Sequence, residues 1–340
     1  MTNQLFVKAP QINPELVTLP DSGALPAPFG SGFAWFGDDV TGTFCGPDYA
    51  NRGQVVLQGT APDTSGSGPS GLIGDRTPTF TFTSDDAAAT FECDLDDGGY
   101  AACSSPYTPS GLSAGSHSLL VRAVSAVGIA DPTPASFSFT IAQTLADLPA
   151  PQLGENVNVG VVDGTVLVGT RTGGTVRYVR LEEARQIAVG SFLDTKRGTV
   201  RLVGATGSGS KTQAGNFFQG IFQVRQSRKK SAKGLTELRL GGGNFGSCRA
   251  KARGSGNSRI GARAARGKAI RSLRGEAKGK FRTRGRNASA TVRGTSWGTI
   301  DRCDGTLTRV RSGRVAVRDF RRKRTIILRA GQTYLARARS

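Results

Sequence analysis

The sequence predicts an all-β protein built from at least two modules, and three observations carry that expectation. Short runs of alternating apolar and polar residues recur along the chain between Gly, Pro, Asp and Asn clusters, the period-two pattern of half-buried strands. Glycine is abundant, with 47 among 340 residues, yet no Gly-X-Y register repeats, so a turn-rich β fold fits and a collagen-like one does not. Charge is split along the chain. Residues 1–150 hold 4 Lys/Arg (Lys8, Arg52, Arg76, Arg122) against 15 Asp/Glu, a balance of −11; from totals of 45 and 25, residues 151–340 hold 41 against 10, a balance of +31. Such asymmetry marks separate modules, and the length leaves room for two or three cores.

Residues 1–60 form an irregular N-terminal segment rich in Pro and Gly, expected to be the end of a truncated upstream domain. Phe33, Trp35 and Phe36, then Val55, Val56 and Leu57, predict a little β structure, and Cys45 has no evident partner. The first 30 residues carry one cation, Lys8, and no apolar run, so they do not read as a secretion signal.

From residue 61 the pattern sharpens. Alternation over residues 77–83, 89–94, 117–124 and 136–141, with turn clusters between, predicts a small antiparallel sandwich spanning 61–141. The segment resembles the Ig-like repeats of bacterial secreted surface proteins. The match lies at Asp75-Arg76-Thr77-Pro78-Thr79-Phe80, Phe91-Glu92-Cys93, Ala102-Cys103-Ser104-Ser105-Pro106-Tyr107, Gly115-Ser116-His117 and Val121-Arg122-Ala123; Ile129 departs from it where Asn is usual. The resemblance implies a sandwich that serves as a spacer. Cys93 and Cys103 flank Asp97-Gly98-Gly99 at a spacing that lets cross-strand sulfurs meet, and a bridge closing so short a loop contributes roughly 3 kcal/mol in the chain-entropy account. Asp94, Asp96 and Asp97 lack the further oxygen ligands and terminal Glu of a calcium loop, so a solvated turn is expected. The single histidine, His117, is expected to be structural.

Residues 142–155 contain prolines and read as a linker. Beyond them, strands are expected at 157–162, 165–168, 176–181, 199–203, 216–224, 236–240, 278–283 and 288–293, with turns at Gly164, Gly173-Gly174, Gly198 and Gly220 and one helix-like fragment at 181–188. This half resembles a FecR-type domain, in the version appended to bacterial surface proteins. The resemblance rests on Leu181-Glu182-Glu183-Ala184-Arg185-Gln186, Val189-Gly190-Ser191, Asp194-Thr195, Gly198-Thr199-Val200 and residues 279–286, 292–297, 301–308, 315–319 and 332–336. It covers 156–338 and implies a β-rich domain of periplasmic or surface proteins, with no residue carrying an enzymatic role. The fold expected for the whole chain is therefore an Ig-like β-sandwich followed by a larger antiparallel β-rich FecR-like domain with basic flexible loops.

The clearest β text runs from Trp297 to Arg329, where Asp304-Gly305 and Ser312-Gly313 punctuate three alternating runs. Ile300, Leu307, Val310, Val315, Val317, Ile326 and Leu328 are expected to face inward. Arg309, Arg311, Arg314, Arg318 and Arg321 to Arg324 are expected to face water or a partner. Two basic runs, 225–233 and 249–274, hold little to bury, and the second is expected to be a disordered loop. Cys248 and Cys303 bracket it, and a bridge between them contributes about 4 kcal/mol in the same entropic account.

Catalytic constellations are missing from the text. Gly241, Gly243 and Gly246 satisfy G-x-G-x-x-G after a strand, but a basic Gly/Ser run follows where a dinucleotide site needs an apolar helix. One histidine, with no H-E-x-x-H and no G-x-S-x-G, leaves metal hydrolysis and Ser-His-Asp chemistry without their parts, and no cofactor or metal is implied. No apolar run approaches the roughly 18 residues of a membrane helix. The expected function is a non-enzymatic, extracellular or cell-surface one: the Ig-like spacer presents the basic domain to anionic cell-wall polymers or other surface proteins. Candidate contacts are Arg249, Lys251, Arg253, Arg259, Arg263, Arg266, Lys268, Arg271, Arg321, Arg322, Lys323 and Arg324. A periplasmic FecR-type sensor in signal relay is one alternative. Nucleic-acid binding is another, weakened by the few aromatics available to stack bases. The surface reading expects an export signal upstream of Met1.

Overall fold

The computed structural model describes residues 15–17, 55–57, 60–207, 211–232, 234–248 and 267–338. The protein is all-β. Its helical content among the described residues is two 3-10 turns, Lys230–Ala232 and Phe245–Cys248. No helix among them is long and apolar enough to cross a membrane. The chain divides into two compact units between Ile141 and Ala142.

In the first unit β1 (Glu15–Val17) and β2 (Val55–Leu57) pair antiparallel. Seven strands follow: β3 (Thr64–Ser67), β4 (Gly71–Ile73), β5 (Thr81–Ser84), β6 (Thr90–Leu95), β7 (Ala101–Cys103), β8 (Gly115–Val124) and β9 (Ala135–Ile141). A two-stranded sheet, β3-β5, and a five-stranded one, β4-β9-β8-β6-β7, share one core. Phe80 and Phe82 meet Leu119, Val121, Phe139 and Ile141 there, and the Phe80 ring lies 5.2 Å from that of Phe137 and 5.3 Å from that of Phe139. Buried Asp131 stitches the parts together by accepting the Thr64 N–H at 2.8 Å and the Thr133 N–H at 2.7 Å, while the Thr64 hydroxyl accepts the Ala123 N–H at 2.8 Å. Burial alone would raise the Asp131 carboxyl pKa; these hydrogen bonds outweigh it and hold the group below the usual carboxylate range.

Two details differ from the sequence reading. The strand expected at 77–83 begins only at Thr81, because the Asp75 carboxylate accepts the Thr77 N–H at 2.9 Å and bends the chain into a turn. The unit is also not purely antiparallel: β4 runs parallel to β9, which the long intervening chain permits.

The second unit comprises β10 (Asn156–Thr172), β11 (Thr175–Arg180), β12 (Arg185–Ala188), β13 (Phe192–Ala205), β14 (Thr212–Phe218), β15 (Ile221–Gln226), β16 (Thr236–Leu240), β17 (Ala269–Arg284), β18 (Ala288–Arg302), β19 (Gly305–Ser312), β20 (Arg314–Asp319), β21 (Arg324–Arg329) and β22 (Thr333–Arg337). All thirteen belong to one branched sheet. The long strands change partners along their length: β18 pairs with β20 near Ala290 and with β19 near Ile300. The shared core centres on Phe217, Phe222, Phe281 and Trp297, with Phe217 5.9 Å from Phe222 and 5.3 Å from Phe281. The Trp297 indole N–H donates to the Thr283 hydroxyl at 3.0 Å, so its polar edge is satisfied where it is buried.

Several expectations are corrected here. Gly164 makes no turn; it sits inside the 17-residue β10, at an irregular stretch of register against β13 where it pairs with Gly198. Its φ is +63°, and a Cβ on Gly198 would lie 2.6 Å from the Asp163 carbonyl oxygen, so two glycines let the backbones close at the bulge. Gly173-Gly174 does form the two-residue turn between β10 and β11, with φ of +56° and +87°. The helix-like fragment at 181–188 contains strand β12 instead, which is too short to nucleate a helix and ladders onto β10 through Val157 and Ile187. Within the stretch read as antiparallel, β16 runs parallel to β17, joined by a crossover long enough to allow it. Residues 269–274, read as part of a disordered loop, are the start of β17: Leu273 is buried and Ser272 pairs with Ile300. Residues 249–266, with Cys45, Phe33, Trp35 and Phe36, lie outside the described residues. Residues 142–155 run along the second unit, where the Gln143 carbonyl accepts the Ala184 N–H at 2.9 Å and the Pro149 carbonyl accepts the Asn158 side-chain amide at 2.9 Å.

Candidate anion-binding site

Alternation on four strands builds one basic face. On β17, Phe281 and Thr283 are fully buried, so Arg282 and Arg284 face outward. On β20, Val315 and Val317 take the core, leaving Ala316 and Arg318 outward. Register then aligns these positions into two cross-strand rows. Arg284 pairs with Ser289, Ser289 with Arg318, and Arg318 with Thr325; Arg282 pairs with Thr291, Thr291 with Ala316, and Ala316 with Ile327. Small side chains at Ser289, Thr291 and Ala316 between the arginines leave a concavity of about 620 Å³, bounded also by Phe320 and Thr325.

The three arginines are held differently. Arg282 donates through Nε to the Thr291 hydroxyl at 3.1 Å and lies 3.5 Å from the Glu237 carboxylate. Arg284 is 3.9 Å from the same carboxylate, and its guanidinium stands 4.9 Å from the Phe320 ring centroid. Parallel pairing of β16 with β17 puts Glu237 directly opposite Arg282. The Arg318 side chain is exposed and makes no hydrogen bond or ion pair among the described residues.

Beyond Phe320 the chain turns through Arg321, Arg322 and Lys323 into Arg324, all four exposed. Buried Asp319 shapes that turn by accepting the Arg322 N–H at 2.9 Å and the Tyr334 hydroxyl at 2.7 Å, and Lys323 takes φ of +52°. Burial would raise the Asp319 carboxyl; the Arg322 N–H, the Tyr334 hydroxyl, the Arg321 N–H and the Arg322 charge together hold it below the usual range.

Of the cations singled out from sequence, Arg321, Arg322, Lys323 and Arg324 form the exposed turn after Phe320 without lining the cleft, and Lys268 is exposed just before β17. Arg271 has a structural post: its Nε donates to fully buried Asp301 at 2.8 Å. Its guanidinium lies 5.2 Å from the Phe245 ring, which Arg286 approaches to 4.9 Å. Arg249, Lys251, Arg253, Arg259, Arg263 and Arg266 lie outside the described residues. Arg282, Arg284 and Glu237 were not singled out, although the outward phase of the arginines was readable from alternation; their convergence depends on register across several strands.

Both disulfides are present. Cys93–Cys103 has an S–S distance of 2.08 Å and joins β6 to β7, and Cys248–Cys303, at 2.11 Å, joins the Phe245–Cys248 turn to the β18–β19 hairpin across a separation of 55 residues. His117 donates at 2.7 Å to the Asp96 carboxylate and at 2.9 Å to the Ser113 carbonyl, and stacks 5.5 Å from Phe139. The Asp94 and Asp96 carboxylates are used by the turn itself, accepting the Gly99 and Ser118 N–H groups. Gly241 and Gly243 precede, and Gly246 lies within, the short 3-10 turn, and among the described residues no α-helix follows them to face a phosphate. Among the described residues no three His, Cys, Asp or Glu side chains converge as a metal site.

No protein-family model matches the chain, and no curated protein matches it at a significant level.

Proposed function

We propose that this is a non-catalytic, extracytoplasmic protein of the bacterial cell surface, in which an Ig-like spacer presents a FecR-like β domain that adheres to anionic surface polymers. The observation that carries the reading is the outward face of β17, β18, β20 and β21, where Arg282, Arg284 and Arg318 stand against one carboxylate and continue into the Arg321 to Arg324 turn. Such a face attracts polyanions at range and holds them by contacts that salt screens. Two disulfides in a chain of this composition fit an oxidising compartment. Nucleic acid is the weaker partner, because among the described residues Phe320 is the one aromatic ring lining the cleft and base stacking needs a series of them.

The test is retention of the full chain on immobilised heparin and on a purified glycerol-phosphate wall polymer in a rising salt gradient. Neutralising the turn, R321Q/R322Q/K323Q/R324Q, should bring elution to lower salt without changing the melting temperature. Passage of the wild-type chain through both columns at low salt would overturn the proposal.

A further inference from the structure

Resting on the adhesion reading, we infer that the cleft over β17, β18, β20 and β21 is a discrete site for a tetrahedral oxyanion, the terminal phosphate monoester of a sugar- or glycerol-sized unit. Charge is the first reason. Three guanidinium groups meet one carboxylate there, a local balance of +2, which complements a dianion. Glu237 stands 3.5 and 3.9 Å from its two arginines, too far to saturate their donors.

Preorganisation is the second reason. Arg282 is fixed by Thr291 and Arg284 rests over Phe320, so two of the three forks are ordered before any ligand arrives. Arg318 keeps its full set of donors. The Thr291 oxygen accepts from Arg282, so its own O–H is left to donate into the cleft.

Geometry supplies the third. Arg284 and Arg318 share one row with Ser289 between them, so their backbones stand two strand spacings apart, roughly 10 Å. Arg282 lies one outward position further along β17, roughly 7 Å away. Side chains reaching in from these three points surround an anion from three sides. A tetrahedral oxyanion presents three terminal oxygens to such an array, whereas a carboxylate presents two. The volume of about 620 Å³ exceeds a bare ion and suits a small organic carrier, whose carbon skeleton the Phe320 ring would meet.

The experiment is an amide-resolved NMR titration of the full chain with inorganic phosphate, glycerol phosphate and acetate at constant ionic strength. The expected result is saturable shifts at Ser289, Thr291, Ala316 and Thr325 with both phosphates and weaker ones with acetate. Arg318→Gln should weaken phosphate binding by about tenfold, the loss of one charge-assisted contact, while Arg309→Gln, an exposed cation outside the cleft, should leave it within about twofold. Tighter binding of glycerol phosphate identifies an organic carrier, and equal affinity identifies the free anion; either supports oxyanion recognition. Shifts that fail to saturate, that spread over all exposed cations, or that fall equally in both variants would overturn the site. Column retention surviving such a failure leaves adhesion standing without a discrete site, whereas loss of both removes both.

Discussion

Asp301 is fully buried and receives the Arg271 Nε at 2.8 Å, with the Arg286 N–H donating to its two oxygens at 2.9 and 3.0 Å. The contact joins β17 to β18 beside the Cys248–Cys303 bridge. A cation that sequence assigns to the binding surface is thereby part of the domain's internal scaffold.

Replacing Asp301 with Ala should cost about 3–5 kcal/mol, because it leaves the Arg271 guanidinium, the Arg286 N–H and the buried Thr306 hydroxyl without their acceptor. Urea unfolding would measure it. Arg271→Gln should likewise lower stability, whereas replacing exposed Arg318 or Arg324 should leave the unfolding midpoint within about 0.5 kcal/mol. An Arg271 variant with unchanged stability and reduced polymer binding would return that residue to the interface.

The Cys248–Cys303 bridge spans 55 residues, so its removal in C248S/C303S should cost about 4 kcal/mol through the freedom returned to the unfolded chain. Thermal unfolding with and without reductant would show it. The double variant should be insensitive to reductant in its second unit, leaving only the response of Cys93–Cys103.

His117 is the one histidine in the chain, so its titration is read without ambiguity. The Ser113 carbonyl first, then the Asp96 carboxylate, raises its pKa above the ordinary histidine value despite burial. The folded state therefore binds this proton more tightly than the unfolded chain. The resulting stabilisation is complete below the ordinary histidine pKa and is lost as pH rises through the higher folded value. Imidazole NMR signals should titrate above the free-histidine range, and Asp96→Asn should bring them back toward it. A His117 midpoint at or below the ordinary value would contradict the arrangement.

Strand existence was legible where side chains alternate, and partner choice was not. Val310, Val315, Val317 and Leu328 are buried as their phase predicts, and Arg309, Arg311, Arg314, Arg318 and Arg321 to Arg324 are exposed. Leu307 is buried as well, and Ile300 behaves differently. Thr295, Trp297, Thr299 and Asp301 take the buried positions on that part of β18, so Ile300 falls in the opposite phase, half-buried and paired with Leu307. Thr64–Ser67 shows no apolar alternation; it is a strand because Thr64 is hydrogen-bonded to Asp131 and Ala123, contacts 67 and 59 residues away. The cleft was invisible for the same reason. Arg282, Arg284 and Arg318 become neighbours only through the pairing of β17, β18 and β20, and local pattern carries no information on which strands lie side by side.

The central claim, adhesion to anionic surface polymer through the basic face of the second unit, is tested most directly by competition. The full chain, bound to labelled glycerol-phosphate wall polymer, is challenged with unlabelled polymer and with duplex and single-stranded nucleic acid at matched charge, across a range of salt. The account predicts that polymer displaces best, that affinity falls steeply with salt, and that R282Q/R284Q/R318Q weakens binding without unfolding the domain. Stronger displacement by nucleic acid, with dependence on base sequence, would contradict it.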